Sequence, residues 1–417
     1  MNNNRSTIIL GVIILASLVA LIAVTWGNYQ FVLRNPGTND FLPRWAGARI
    51  FMTQGISPYA PQAGREIQDI VNGSGTGSGE DGIDYLDPFY TFFVYAPFAL
   101  ISNMEWARAI WMTVLEVGVI FVAVLSILLS KWQIPNYISA LVVVFGLTWF
   151  YSVYSIMDGN VAVLCTLAIV ASFLAIRSEF DVLAGSLLAV ACIKPQIALP
   201  LVLFIIIWAI SHRKWLIMWS FIAGIVLMIA LATLLLPDWF MQFLRQIVPY
   251  LEEYQFITPG SLISIPLPGI GKQLGWALSA VLVLVLLIEW RAALRKNFRW
   301  FLWTAYLTLV IVILMGIPSS IFNFVVLLPA IILVLVTIGN RWGFTGRVLM
   351  ILSMVVLSFG FWALYLSNLS KGTDLQSDIL LYILPPMITI LGLYWVRWWA
   401  VNKKRLPLQE LAERLVE

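Results

Sequence analysis

The sequence predicts an all-α protein that crosses a membrane many times, and two observations support this class. The chain has a mean hydropathy of +0.92, and only 11% of its 417 residues are charged, whereas soluble domains are about one quarter charged. Polar loops also separate a series of apolar runs that predict helices. These runs cover roughly 6–26, 106–130, 134–153, 161–176, 182–210, 215–236, 272–290, 300–316, 322–338, 348–366 and 379–400.

The first run, 6–26, predicts a retained helix. Arg5 precedes it, and no small-residue cleavage site follows it, so a signal peptide is not indicated. The 19 Trp and 14 Tyr residues are typical of side chains that anchor helices at the membrane interface.

The run 182–210 determines the topology. As one helix it would be about 43 Å long, which exceeds a hydrocarbon core of about 30 Å. Lys194 and Pro195 interrupt it, and proline disfavours helix at the residue before it. One long kinked helix and two short helices both remain possible on this ground alone.

The distribution of basic residues favours the hairpin of two short helices. It gives about 12 membrane segments with both termini in the cytoplasm, and basic residues in short loops favour the cytoplasmic side. The residues then expected inside are Arg5, Lys131, Arg177, Arg213, Lys214, Arg291, Arg295, Lys296, Arg299, Arg341, Arg347, Lys403, Lys404 and Arg405. The short outer loops hold only Arg245, Lys272 and Lys371, together with Lys194 at the outer end of the hairpin.

Two long segments, 27–104 and 237–271, face the outside in this topology. In the first, residues 41–54 predict an amphipathic helix with Trp45, Ala48 and Met52 on one face, and Gly55 is a suitable C-terminal stop. A second short helix is expected at 63–72. The aromatic segment 87–100 and the start of the second long segment are typical of interfacial helices.

The charged residues of this outer face are the candidates for chemistry: Asp40, Lys194, Arg245, Glu252 and Glu253. A carboxylate can accept a proton from a hydroxyl nucleophile, and a cation can hold a phosphate leaving group. The alternatives are structural. Asp40 is equally suited to cap the helix that follows it, Lys194 to snorkel from a helix end, Arg245 to anchor at the interface, and the two glutamates to form a solvated face.

Other classes of site are disfavoured. The single histidine, His212, has basic neighbours, and Cys165 and Cys192 lie inside apolar runs, where ordinary packing explains them. We therefore expect no metal site, no cofactor and no nucleic-acid partner.

Several motifs, in order along the chain, resemble a known family. The stretch DFLPRWAGARIFMTQGISPYAP (40–61) resembles the first-loop motif of the polyprenyl-phosphate-mannose-dependent mannosyltransferases of the GT-C superfamily, which include the enzymes that extend phosphatidylinositol mannosides. FVYAPF, DGNVAVL, AGSLLAVACIKPQIALP, PGSLISIP and PSSIFNFVVLLP resemble later motifs. The residues that correspond to the family pattern are Asp40, Trp45, Gly55, Pro58, Tyr59, Tyr95, Pro97, Lys194 and Ser261.

Three positions depart from the family pattern, and the first is Ala96, which stands where the family has Pro. Asn160 stands where the family has Gln, and Asn323 stands where it has His, so the role of that imidazole does not carry over. The donor sugar or the acceptor is expected to differ accordingly.

The resemblance implies a catalytic GT-C-like module over 1–300 and C-terminal helices with a short cytoplasmic tail over 301–417. It implies transfer of a sugar, mannose in the family, from a polyprenyl-phosphate donor to a glycolipid or glycan acceptor, at the outer face and with inversion. Asp40 would be the base, and Lys194 with Arg245 would bind the phosphate. The sugar and the acceptor would contact Trp45, Tyr59, Tyr95, Asn160, Glu252, Glu253, Ser261 and Asn323.

Three other functions remain open. A lipid-linked sugar flippase or transporter would be expected to carry charges deep in its helices, and here the runs are nearly charge-free. A catalytically inactive binding relative is compatible with Asn160 and Asn323. A polymerase or ligase that uses lipid-diphosphate donors would be expected to have more basic residues on the outer face.

Overall fold

The computed structural model describes residues 2–36, 39–73, 85–132, 135–253, 258–265, 267–315, 320–371 and 375–401, and all regular structure in these ranges is helical, which confirms the all-α prediction. The α-helices are α1 (Asn2–Arg34), α2 (Phe41–Gln54), α3 (Pro61–Gly73), α4 (Phe92–Ala99), α5 (Met104–Ser130), α6 (Asn136–Thr148), α7 (Phe150–Asp158), α8 (Ala162–Arg177), α9 (Asp181–Ala191), α10 (Pro195–Ser211), α11 (Trp215–Leu235), α12 (Trp239–Glu253), α13 (Pro259–Ser264), α14 (Gly271–Ala293), α15 (Phe298–Leu314), α16 (Leu328–Arg341), α17 (Gly343–Lys371), α18 (Leu375–Trp395) and α19 (Arg397–Val401). Two 3₁₀ helices cover Phe89–Thr91 and Ile321–Leu327.

The described helices fit a protein that crosses the membrane several times. Six of them are long and apolar enough to span it, and α6 with α7, bent by 51°, forms a seventh if the pair is one span. Several other predicted segments are apolar helices of only 10–17 residues, shorter than the roughly 20 residues that a spanning helix needs. The number of about 12 crossings therefore stays a prediction.

The chain forms two compact units. The first consists of Met1–Val117, Ile156–Asn160 and Met228–Tyr254, and the second of Gly118–Ser155, Val161–Leu227 and Gln255–Glu417. Asp40 belongs to the first unit and Lys194 to the second.

In the first unit, α2 begins and ends where the sequence predicts. Gly55 adopts a left-handed conformation with φ of 70°, and its N–H donates to the carbonyl of Phe51 at 3.0 Å. Trp45 and Ala48 are buried, whereas Met52, on the same predicted face, is 41% exposed. Residues 52–54 at the end of α2 are all exposed, so burial decreases towards the C-terminus of this helix.

The two long segments that are predicted to face the outside contact each other within the first unit. The hydroxyl of Ser57 donates to the side-chain oxygen of Gln242 at 2.5 Å, and the side chain of Gln246 donates to the carbonyl of Tyr59 at 2.9 Å. Helix α12 therefore packs on the loop that follows α2.

In the second unit, the run 182–210 is a hairpin, as predicted. The ammonium of Lys214, just after α10, lies 3.0 Å from the carboxylate of Asp181 at the start of α9. The two ends of the run thus lie together. A Cβ on Gly185 of α9 would come within 2.3 Å of the carbonyl oxygen of Ile217 in α11, so a glycine is needed for α9 to pack on α11. Lys194 lies at the opposite end, at the tip of the hairpin.

Further contacts place several loops of the second unit at the same end as Asp181 and Lys214. A guanidinium nitrogen of Arg177 donates to the carbonyl of Leu128 at 2.6 Å, and the ring of His212 contacts the carbonyl of Lys296 at 3.1 Å. The basic residues gathered in this way, which we call the basic end, are Arg177, Lys214, Lys296, Arg299, Arg341 and Arg397.

Candidate functional site

The start of α2 is capped by Asn39 and not by Asp40. The side-chain oxygen of Asn39 accepts hydrogen bonds from the backbone N–H groups of Phe41 at 3.1 Å and Leu42 at 3.0 Å. Asp40 occupies the position before the first helical residue, yet its side chain makes no capping hydrogen bond. The structural alternative for Asp40, a helix cap made by its side chain, is therefore wrong.

A tight turn at 158–160 holds the backbone of Asp40. The N–H of Asp40 donates to the carbonyl of Asp158 at 2.9 Å, and Trp111 donates its indole N–H to the carbonyl of Gly159 at 2.8 Å. Gly159 has φ of +74°, and a Cβ there would lie 2.7 Å from the Cβ of Phe41. Only glycine accommodates both the left-handed backbone and this close approach.

Arg108 of α5 fixes the same turn from another side. Its guanidinium donates to the carbonyls of Asn35 at 2.9 Å and Met157 at 3.0 Å, and the residue is 4% exposed. The buried cation thus joins the end of α1 to the turn that carries the Asp40 backbone.

Arg44 lies between two carboxylates. One guanidinium nitrogen is 2.6 Å from a carboxylate oxygen of Asp40 and also donates to the Asp40 carbonyl, and Nε pairs with Asp87. Burial lowers the pKa of Arg44, but the two carboxylates outweigh this effect and raise its pKa above the usual value. With both carboxylates ionised, the three groups carry one net negative charge.

The Asp40 side chain is the more exposed of the two acids, although its Oδ2 atom is buried. This side chain is 28% exposed, against 14% for Asp87 and 13% for Arg44. Asp40 is therefore suited to meet a substrate, and Asp87 to hold Arg44.

Buried aromatic residues form the surroundings of this ion pair. Trp45 is 3% exposed, and its indole N–H donates to the carbonyl of Phe98 at 3.0 Å. Tyr59 is 5% exposed and donates its hydroxyl to the carbonyl of Asp87 at 2.6 Å. Burial, together with nearby Tyr85 and Asp87, raises the pKa of Tyr59, so its phenol stays neutral and remains a donor.

Among the predicted sugar-contact residues whose side chains are described, Tyr95 is the least accessible. It is fully buried, with its ring 6.3 Å from that of Phe41 and 5.2 Å from that of Trp111. Its hydroxyl makes no hydrogen bond to any residue in the described ranges.

The remaining predicted residues of the first unit are placed differently. Asn160 is 2% exposed and follows the Gly159 turn, whereas Arg245 is exposed on α12. Glu252 and Glu253 also belong to α12, but their side chains lie outside the described residues.

The second unit holds the other predicted residues. Lys194 is 5% exposed, precedes Pro195 at the first position of α10, and makes no capping hydrogen bond with its side chain. Ser261 forms a capping box with Thr258 at the start of α13, which is a structural task. Asn323 is 3% exposed in the second 3₁₀ helix.

Sequence reasoning left two acids, Asp87 and Asp158, and one arginine, Arg44, out of the predicted site. Arg44 is one helical turn beyond Asp40, and this i,i+4 spacing is visible in the sequence. Asp87 and Asp158 carry no such signal, because they are distant in the chain and reach Asp40 only through the fold. In the described ranges, no group of three or more His, Cys, Asp or Glu side chains is placed to hold a metal ion.

Comparison with known proteins gave one match. A family model described as glycosyltransferase family 87 matches residues 85–318, more than half of the chain. The matched range contains Asp87, Tyr95, Asp158 and Lys194, and it begins after Asp40. No curated protein and no solved structure matched the chain.

Proposed function

Since the chain belongs to glycosyltransferase family 87 and is a membrane glycosyltransferase, we propose that it transfers a mannosyl group from a polyprenyl-phosphate donor to an acceptor hydroxyl. The reaction takes place at the extracytoplasmic face of the cell membrane, and both termini lie in the cytoplasm. The acceptor is the hydroxyl of a glycolipid or glycan.

The observation that carries this proposal is the separation of two tasks at the start of α2. Asn39 caps the helix, while the Asp40 side chain remains partly exposed next to Arg44. A held but accessible carboxylate is the group that a general base requires.

In the proposed reaction Asp40 removes the proton of the acceptor hydroxyl. The acceptor oxygen forms a bond to the anomeric carbon as the bond from that carbon to the phosphate oxygen breaks, and polyprenyl phosphate leaves with the electron pair. Attack from the face opposite the phosphate inverts the anomeric configuration.

Lys194 and Arg245 bind the phosphate in this proposal. An ammonium and a guanidinium form charge-assisted hydrogen bonds with phosphate oxygens, and they stabilise the charge that develops on the leaving group. The reaction as proposed requires no metal ion and no cofactor, since the donor is itself a co-substrate.

The sugar and acceptor contacts assigned to Trp45, Tyr59, Tyr95, Asn160, Glu252, Glu253, Ser261 and Asn323 remain part of this proposal. Trp45 and Tyr59 already donate to backbone carbonyls. They are therefore proposed to shape the wall of the site through their rings.

The test uses purified protein in nanodiscs with radiolabelled polyprenyl-phosphomannose and a crude lipid acceptor. We expect Asp40→Asn to lose transfer while it still binds the donor, because the amide cannot take the proton. Asp69→Asn is the matched control, since Asp69 is an exposed acid of α3 in the same outer segment. Equal transfer by wild type and Asp40→Asn would exclude Asp40 as the base. Donor binding without turnover in the wild type would favour an inactive relative or a transporter.

A further inference from the structure

The C-terminal helices of the second unit enclose an apolar cavity. Its volume is about 560 Å³, and it is lined by α16, α17 and α18, among others through Ile338, Leu352, Ser353, Val356 and Trp395. Sites that hold small molecules measure about 300–1,000 Å³. Leu352 is 54% exposed and Val356 is 67% exposed, so the α17 wall is open to the surroundings of the protein.

A cation lies at one end of this cavity. The guanidinium carbon of Arg341 is 5.6 Å from the ring centroid of Trp395, a residue that also lines the cavity. Two further rings surround it, Trp342 at 5.5 Å and Trp398 at 4.4 Å. The Nε of Arg341 is buried and makes no hydrogen bond to any residue that the structure describes.

Arg397, also at the basic end, is an arginine with a carboxylate partner. Its guanidinium also stacks on tryptophan, 5.5 Å from the ring of Trp303, but it forms an ion pair with the carboxylate of Glu289 at 3.0 Å. Among the described residues, Arg341 has the aromatic contacts without such a carboxylate. An anion at Arg341 would supply the missing partner.

The apolar lining of the cavity suits the acyl chain of a lipid, and the arginine and tryptophans at its end suit an anionic head group. Basic pockets between membrane helices bind such head groups, and tryptophans favour the depth at which head groups lie. We propose that the cavity between α16, α17 and α18 binds an acyl chain of an anionic phospholipid whose phosphate pairs with Arg341.

Within the second unit, this cavity lies away from Lys194, the proposed phosphate ligand. Arg341 belongs to the basic end of the second unit, and Lys194 lies at the opposite end of the hairpin. The lipid is therefore a bound structural partner, and its binding does not depend on the identity of the donor.

Native mass spectrometry of the delipidated full chain tests the proposal with three probes: phosphatidylglycerol, phosphatidylcholine and polyprenyl phosphate. We expect one tightly bound phosphatidylglycerol, and binding at least about tenfold weaker for phosphatidylcholine, because the charge-assisted contact is lost. Arg341→Gln should weaken phosphatidylglycerol binding by a similar factor, and Arg341→Lys should weaken it less.

Ser353→Phe fills the cavity without changing charge and should also remove the bound lipid. If Arg341→Gln does not fold, this variant and Arg341→Lys decide the result. Arg291→Gln is the matched control, because Arg291 is exposed at the end of α14 and its loss removes the same charge.

Several results would overturn the proposal. They are equal binding of the two phospholipids, equal binding by wild type and Ser353→Phe, and an equal loss in Arg291→Gln and Arg341→Gln. Preferential binding of polyprenyl phosphate would assign the cavity to the donor. A lipid-free dimer that Ser353→Phe disrupts would assign it to a second copy of the chain.

Discussion

The start of α2 and the tip of the α9–α10 hairpin both begin a helix after a charged residue, but different groups start the two helices. Each places a charged residue just before a short helix, and neither Asp40 nor Lys194 caps that helix with its side chain. At α2 a neighbouring side chain, Asn39, performs the capping. At α10 the backbone turn and Pro195 start the helix without a polar side chain.

Electrostatics separates the two sites further. A carboxylate at a helix N-terminus is favoured by the helix dipole, and Asp40 has Arg44 as counter-ion. Lys194 lies between the negative end of α9 and the positive end of α10, whose effects oppose each other. The comparison indicates that neither charge is needed to form the helix that follows it. The buried stem of Lys194 contributes to packing, whereas the partly exposed side chain of Asp40 contributes less.

The largest expected effect concerns Asp40 and its neighbour. Asp40→Asn should reduce the transfer rate by about 10²–10⁴-fold, the range for loss of a general base, with little change in Tm because Arg44 keeps Asp87. Asn39→Ala should do the reverse and lower stability by about 1 kcal/mol through loss of the cap. Transfer assays and thermal unfolding of both variants measure the two effects. A large loss of Tm in Asp40→Asn would show that the tasks are not separated.

A smaller effect is expected at the hairpin tip. Lys194→Met keeps an apolar stem of similar length and removes the charge, so the KM for the donor should rise about 10–100-fold at a nearly unchanged Tm. Lys194→Ala should lower Tm as well, since it also removes the stem. Lys214→Met, at the basic end, is the control. A rise in KM of the same size in Lys214→Met would mean that general charge, and not the tip, attracts the donor.

The turn at 158–160 gives a third effect, in stability. Gly159→Ala forces a side chain into a left-handed backbone, which costs about 1–2 kcal/mol, and it brings Cβ against Phe41. We expect a lower Tm and a reduced transfer rate, because this turn holds the backbone of Asp40. A variant with lower Tm and full activity would show that Asp40 does not depend on the turn.

The last prediction is that the loss of stability in Arg44→Gln does not depend on pH. The pKa of Arg44 is raised in the folded state, so its contribution is complete below the unfolded-state pKa and is lost only as pH rises through the still higher folded-state value. Arg44→Gln should therefore lower stability by about 1–3 kcal/mol to the same extent from pH 6 to pH 9. Chemical denaturation across that range measures it, and a difference between variant and wild type that changes over these pH values would contradict the assignment.

Local patterns predicted much of the fold. The bounds of α2 follow from apolar residues that end at Gly55, and the hairpin follows from the Lys194–Pro195 break combined with the positions of basic residues. These signals are local or depend only on composition. Met52 is exposed although it shares a predicted face with Trp45, because periodicity identifies a face of a helix, while burial also depends on how far the neighbouring elements extend.

Less of the candidate site could be predicted from local patterns. Asp40 was found as a conspicuous acid after an apolar run, and its motif strengthened the choice. The contacts of Asp40 with Asp158, and of Arg44 with Asp87, join segments that are distant in the chain. No spacing rule reaches across such distances, so the arrangement that holds Asp40 emerged only from the structure.

The division of labour between Asn39 and Asp40 has a practical consequence for imaging the enzyme at work. A protein that loses its base without losing its helix cap should stay folded, accept its substrates and stop before bond exchange. Asp40→Asn is thus a candidate trap for electron microscopy, in which a stalled donor and acceptor would be seen together.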